Sequence, residues 1–377
     1  MKKLLALFLL VSFAGCTTVP YVRTEAVKEL DIQKYSRIAI LPFGEDGLNL
    51  KNAISETFIT EFLGMGFDVV ERSQLNAVLK ELKLNMSGAI NNDEAKQLGK
   101  LLDIDALLLG SVVMRTVDSV YTLNLRFVDI RTGEILWSSS YLNVKEDIDK
   151  AISVIASSLH KKLFGNKIEK KSKVRIAKNR LFKGKEFKKI AILRLAGPDY
   201  ISAEKTLRGL LTTYFIGEQV KLVERAALKN ILNEQFLEGS GFFSAPTADE
   251  VVKSSNVPTQ LYLSKNDLKK IGNLTGADGL LVGSFSPEFY YTNRVVAKLV
   301  NLRLLDIETG RIAYSISYYN YDARLSFDNI DSSAFFLTLG ILPGIKGVEK
   351  DYYMGEVDSI YKRYHKGFKP ASNLFTK

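Results

Sequence analysis

Gly99–Ser111 reads GKLLDIDALLLGS, and Gly272–Ser284 reads GNLTGADGLLVGS. Seven of the thirteen positions are identical, among them Gly99/Gly272, Asp105/Asp278, Gly110/Gly283 and the closing serines. In each copy a polar, helix-like run reaches a break. An Asp follows, and then an apolar run leads into Gly-Ser, which is how a helix hands over to a buried strand. Outward from these junctions the same order of anchors recurs. Arg37–Leu41 (RIAIL) answers Lys189–Leu193 (KIAIL), and Val70-Glu71-Arg72 answers Val223-Glu224-Arg225. Asp129–Gly133 (DIRTG) answers Asp306–Gly310 (DIETG). The offsets are 152, 153, 173 and 177. One jump in a near-constant offset describes two homologous units, the second with an insertion of about twenty residues; the period is too long for a solenoid, so the expectation is a tandem pair.

Bulk properties narrow the function classes. A chain of 377 residues has room for two or three domains, and 46% hydrophobic with 25% charged residues describes folded material. One cysteine and two histidines exclude an intrachain disulfide and any Cys/His metal cluster. Neither a metal nor a cofactor is expected. The net charge of +10 is concentrated in Lys161–Lys189, where thirteen Lys/Arg stand against Glu169 and Glu186. The remainder is close to neutral, which argues against a nucleic-acid-binding face.

The N-terminus, MKKLLALFLLVSFAGC, has a basic start and an apolar run too short to remain as a membrane span. Residues 1–15 read as a signal peptide, Cys16 as the lipid anchor and 16–34 as a tether. Unit one then takes 35–164. It has a strand at Arg37–Leu41, a helix at Asn49–Leu63, a strand at Phe67–Val70 and a helix N-capped by Ser73. A third helix is predicted over Asn92–Leu102. Strands follow over Ala106–Met114, Tyr121–Ile130 and Glu134–Tyr141, and a closing helix over Lys145–Leu163. The fold class is α/β: two tandem α/β sandwich domains with mixed sheets, each β-α-β-α-α-β-β-β-α. Residues 165–187 read as a basic linker. Unit two takes 188–366, with insertions near 238–260 and 325–350. Its closing helix is expected at Asp351–Tyr364, preceded by the apolar stretch Ser333–Ile345.

No nucleophile elbow, P-loop, dinucleotide fingerprint or His-x-x-x-His pair is present, so no catalytic residue is assigned. His160 reads as a helix C-terminal cation. Glu71, Arg72, Glu224 and Arg225 recur at strand ends and read as structural pairs that fix the strand–helix turn. Asp105 and Asp278 read as caps on backbone amides, beside Gly110 and Gly283. Lys170, Lys171, Lys173 and Arg175 either keep a spacer extended or contact an anionic surface.

Together these anchors resemble the CsgG family, the curli production assembly/transport lipoproteins. The likeness rests on Leu41-Pro42-Phe43, Val70–Leu75 (VERSQL), Leu98-Gly99 leading to Asp105 and Gly110-Ser111, and Val128–Trp137 (VDIRTGEILW). Phe13-Ala14-Gly15-Cys16 resembles the lipobox of bacterial lipoproteins, which fits the family as well, and Thr17 after it favours the outer membrane under the sorting rule of those lipoproteins. The resemblance implies two CsgG-like domains on an outer-membrane lipoprotein that faces the periplasm and acts in assembly or transport by protein–protein contact, without enzymatic activity. Other envelope proteins, further copies of the chain and the membrane through Cys16 are the implied partners; nucleic acid is not. The family's channels need two long hairpins per subunit, and the connections Thr116–Ser119 and Ser286–Asn293 read as too short for them. An envelope regulator that activates a peptidoglycan synthase is the first alternative, and an enzyme acting on envelope polymers the second.

Overall fold

The computed structural model describes residues 21–27, 30–43, 49–82, 92–114, 120–142, 148–164, 174–193, 195, 201–223, 263–290, 294–319 and 328–346. The first sheet contains β1 (Tyr21–Ala26), β2 (Arg37–Ile40), β3 (Asp68–Val69), β4 (Ala106–Met114), β5 (Val120–Asp129) and β6 (Ile135–Leu142). Its helices are α1 (Asn49–Gly64), α2 (Arg72–Glu81), α3 (Asn92–Leu102) and α4 (Ile148–Phe164). The second sheet contains β7 (Val174–Lys178), β8 (Ile190–Ile192), β9 (Gly279–Tyr290), β10 (Arg294–Asp306) and β11 (Ile312–Tyr319), with helices α5 (Ile201–Gly217), α6 (Lys265–Thr275) and α7 (Asp328–Ile345).

The strand orders are β1-β6-β5-β4-β2-β3 and β7-β11-β10-β9-β8. Leu222 forms a parallel bridge to Ile190, the place β3 takes beside β2. In each sheet the β2-type strand runs parallel to the β4-type strand and to the β3-type segment on its other side, and the remaining pairs are antiparallel, so both sheets are mixed.

Two segments expected to be connectors are edge strands. Residues Tyr21–Ala26, placed in the tether, pair antiparallel with β6. Arg23 and Glu25 face solvent while Thr24 turns inward, where its hydroxyl meets Ser139 at 2.9 Å and Ser158 at 2.7 Å. Val174–Lys178, placed in the basic linker, pairs with β11 in the same sense. Each edge strand is followed by a 3-10 turn that a side chain caps. Asp31 accepts from Gln33 N at 3.2 Å, and Asn179 accepts from Leu181 N at 3.0 Å. Tyr35 then anchors the entry to β2: its ring stands edge-on to Phe127, and its hydroxyl donates to Asp129 Oδ2 at 2.9 Å.

The core is shared rather than divided between two units. Ile54, Phe58 and Phe62 of α1 belong to the same buried cluster as Ile38, Leu108 and Phe127 of the first sheet and Leu280, Val282 and Leu299 of the second. Every residue of α1 from Ala53 to Thr60 is buried. The helix is therefore enclosed by both sheets, with an apolar stripe on its own sheet and a polar one, Glu56, Thr57 and Thr60, on the other. A helix buried all round normally carries apolar residues all round, so this polar stripe requires partners.

Three further expectations change. The N-cap of α2 is Glu71, one residue before the helix begins, and not Ser73; the Glu71 carboxylate accepts from Ser73 N. Ser333–Ile345 is part of α7, which packs on β10, β11 and α5 and buries Ala334, Leu337, Ile341 and Leu342. It covers the second sheet as α4 covers β5 and β6; Asp351–Tyr364 lies outside the described residues, as do 224–262 with the expected insertion. The connection Ser286–Asn293 is shorter than read, because the β9–β10 ladder continues to Tyr290 and Arg294, past the end of β11 at the Leu299–Tyr319 pair.

Burial, the Asp129 hydrogen bond and the Asp129 charge push the Tyr35 phenol up to about 12 from its ordinary 10. The unfolded chain releases this proton near pH 10 while the folded chain keeps it, so this group's contribution to stability is full below pH 10 and is lost as the pH rises to about 12. Urea unfolding midpoints should fall more steeply across that window for the wild type than for Tyr35→Phe.

A buried charge cluster as the candidate functional site

The side chains singled out at residues 71 and 72 meet a partner from the other half of the chain. Arg303, on β10, is buried beneath the start of α2. Its Nε donates to Glu71 Oε2 at 2.6 Å and its Nη2 to Glu71 Oε1 at 3.0 Å, a two-pronged contact. Nη1 donates to Glu56 Oε2 at 3.0 Å. Glu56 comes from the polar stripe of α1, so one guanidinium ties α1 and the α2 N-cap to the second sheet. Although burial works against it, the two carboxylates push the Arg303 guanidinium above its usual range. Arg72 lies beside them and donates to Ser55 Oγ at 2.7 Å. Burial lowers it to about 10, against the attraction of Glu56. At neutral pH both guanidinium groups are charged.

A polar row across the second sheet extends the cluster. Asn301 on β10 donates to the Ala53 carbonyl at 3.1 Å and accepts from Thr57 Oγ1 at 3.2 Å. Thr60 Oγ1 meets Ser315 Oγ at 2.7 Å and Ser317 Oγ at 2.8 Å. At the edge, Arg175 pairs with Glu61 at 2.5 Å and donates to Ser153 Oγ at 2.6 Å. Arg175 reads from the sequence as part of an extended spacer or as a contact to an anionic surface. The pairing of β7 with β11 sets it opposite Ser317 and turns it onto α1 instead. Lys170, Lys171, Lys173, Glu224, Arg225 and Cys16 lie outside the described residues.

The paired Asp residues hold a different junction. Asp105 Oδ2 accepts from Ser36 N at 2.8 Å and Arg37 N at 3.0 Å, and Asp278 accepts from Lys188 N at 2.8 Å and Lys189 N at 2.9 Å. Each carboxylate thus pins the amides that lead into the strand beside its own. Gly110 and Gly283 are points of close approach. A Cβ at Gly110 would run into the Phe43 ring, and one at Gly283 into the Asn301 carbonyl. His160 packs its ring on Phe164, 4.9 Å between centroids.

The chemistry available here is that of a clamp. Both oxygens of Glu71 are occupied by Arg303, and Arg303 and Glu71 are 3% and 1% exposed. No group of three or more His, Cys, Asp or Glu among the described residues is placed to hold a metal ion, and no described helix is long and apolar enough to cross a membrane.

Residues 50–115, from α1 through β4, match the family model described as the curli production assembly/transport component CsgG. That segment holds Glu56, Glu71, Arg72, Asp105 and Gly110, and Arg303 lies outside it. No curated protein matches the sequence. Among solved structures the chain is similar to the PelC dodecamer from Paraburkholderia phytofirmans, at 15% identity and TM-score 0.25, over 38% of this chain and 94% of that one. It is similar to the lipoprotein GNA1162 from Neisseria meningitidis, at 19% identity and TM-score 0.25, over 35% and 99%. It is also similar to the C-terminal domain of LpoB from Escherichia coli, at 20% identity and TM-score 0.23, over 29% and 83%.

Sequence reading found Glu71 and Arg72 but not Arg303, whose repeated position is Arg126, an exposed residue in the first unit. Removing the guanidinium strands two buried carboxylates, so Arg303→Met should cost roughly 3–5 kcal/mol in urea unfolding. Arg303→Lys should recover only part of it, lacking the fork. Gly283→Ala should cost roughly 1–3 kcal/mol by forcing β9 and β10 apart.

Proposed function

We propose that this chain is a lipid-anchored component of the bacterial envelope that acts in assembly or transport at the outer membrane through protein–protein contacts. The observation that carries the reading is the CsgG-family match over residues 50–115, which spans the helix and strands that form the interface between the two sheets. In this reading residues 1–15 are a cleaved signal, Cys16 carries the acyl chains, and several chains on one residue make the anchoring stable. The two sheets descend from one duplicated CsgG-like domain, supported by their common strand order and by the repeated anchors. The protein is not an enzyme. In support, Glu71, one of the enzyme-like charges of the sequence, has both carboxylate oxygens taken up by a buried clamp.

The test uses a deletion strain of the host organism. Loss of a secreted or surface-displayed polymer, restored by the wild type but not by Cys16→Ser, is the expected result. In the same strains the protein should leave the membrane fraction when Cys16 is replaced by Ser. Unchanged secretion with altered peptidoglycan crosslinking would favour the synthase-activator reading instead, and hydrolysis of peptidoglycan by the purified chain would overturn both.

A further inference from the structure

We propose that the open face of the first sheet is a docking site for α5 of a second copy of this chain, which repeats between chains the contact that α1 makes within one. The proposal rests on side chains and register and does not depend on the functional reading above.

The second sheet receives α1 on a row that runs Ser284, Asn301, Ser317, Arg175 across four paired strands. The same register in the first sheet gives Ser111, Asn124, Ser140, Arg23. All four residue types are the same. In the next row, Arg303 and Ser315 answer Arg126 and Ser138. Even the bond within the row recurs: Asn301 Nδ2 donates to Ser284 Oγ at 3.3 Å, and Asn124 Nδ2 to Ser111 Oγ at 3.4 Å. The second-sheet row is buried under α1. In the first sheet Arg23, Ser111, Arg126 and Ser140 are exposed, with Val113 and Leu142 exposed beside them at 51% and 43%.

The matching helix is also available. Phe62-Leu63-Gly64 of α1 aligns with Phe215-Ile216-Gly217 of α5, at the offset of 153 that also joins Val70 to Val223. The α1 positions turned to the second sheet, Ala53, Glu56 and Thr60, correspond to Thr206, Gly209 and Thr213. The first three are buried and the second three exposed. Leu63 is 1% exposed, whereas its counterpart Ile216 is 60% exposed. The α5 face is small and hydroxylated, which lets a sheet approach closely. Thr213 stands where Thr60 meets two serine hydroxyls, so on docking it reaches Ser138 and Ser140. Gly209 stands at the position of Glu56.

Each chain thus fills one such contact internally and retains one free half of each kind. A contact between unlike surfaces propagates head to tail, and closes into a ring or extends as a filament according to its rotation.

The test introduces cysteines at Thr213 and Ser140 in the full chain in mild detergent, with Cys16 present in every sample as background. The equivalent atoms within a chain, Thr60 Oγ1 and Ser317 Oγ, are 2.8 Å apart. On mild oxidation, Thr213→Cys mixed with Ser140→Cys should give a reducible heterodimer, and the double variant should give larger species. Neither single variant should exceed the wild-type background. Separately, light scattering should show the wild type above the mass of one chain. Thr213→Arg should return it to one chain with an unchanged urea midpoint, since the site is exposed within the chain. A monomeric wild type, a double variant that crosslinks no more than the singles, Thr213→Cys homodimers, or a Thr213→Arg protein of wild-type mass would each overturn the proposal.

Discussion

The three hydrogen bonds of Arg303 hold the rest of the structure in place. They join a strand of the second sheet to α1 and to the first residue before α2, both of which belong to the first sheet's layer. Without them the polar stripe of α1 would be desolvated with no return. With them, and with Asn301, Ser315 and Ser317, the stripe finds partners along its length. More peripheral contacts follow the same seam. Gln74 Nε2 donates to the Gly310 carbonyl at 2.5 Å, and Asn179 Nδ2 to Asp68 Oδ1 at 2.9 Å. Arg37 and Arg311 flank Asp68 from opposite halves of the chain. The two sheets are consequently one folded body with one principal core, and a change at this seam acts on both.

Much of the architecture is legible in the sequence because it depends on local signals. The Asp105 and Asp278 junctions, the apolar strands that follow them, and the Asp-Ile-x-Thr-Gly turns are all set by neighbours within a few residues. Those turns close with Gly133 and Gly310 at positive φ. Helix α3 matches its predicted bounds because its apolar positions recur at helical spacing. The misplaced N-cap at Ser73 is a small failure of the same kind: Glu71 caps with a longer side chain, which also has to reach Arg303.

What could not be read depends on contacts more than a hundred residues apart. Glu56, Thr57 and Thr60 look like a solvated helix face, and only the second sheet, some 240 residues on, makes them interior. The edge strands β1 and β7 were hidden for a different reason. Each is short and contains charged residues, as natural sheet edges do. In β7 that charge also merges with the basic run of 161–189, so composition reads it as a linker. Arg175 shows the consequence: a cation counted toward a solvated patch is in fact 10% exposed and paired to Glu61.

A polar seam is a weak source of stability, because desolvating charges and hydroxyls offsets most of what their bonds return. Its strength lies in selection: hydroxyls and guanidinium groups must meet in register or not at all. That property lets one side-chain pattern serve in two settings. Covered by α1, the Ser-Asn-Ser-Arg row of the second sheet is fully matched and fixes where the helix sits. Uncovered, the same row on the first sheet remains hydrated and soluble, as an apolar face of that size would not. The face that holds the two halves together can therefore stay open to water on the first sheet without committing the chain to unselective association.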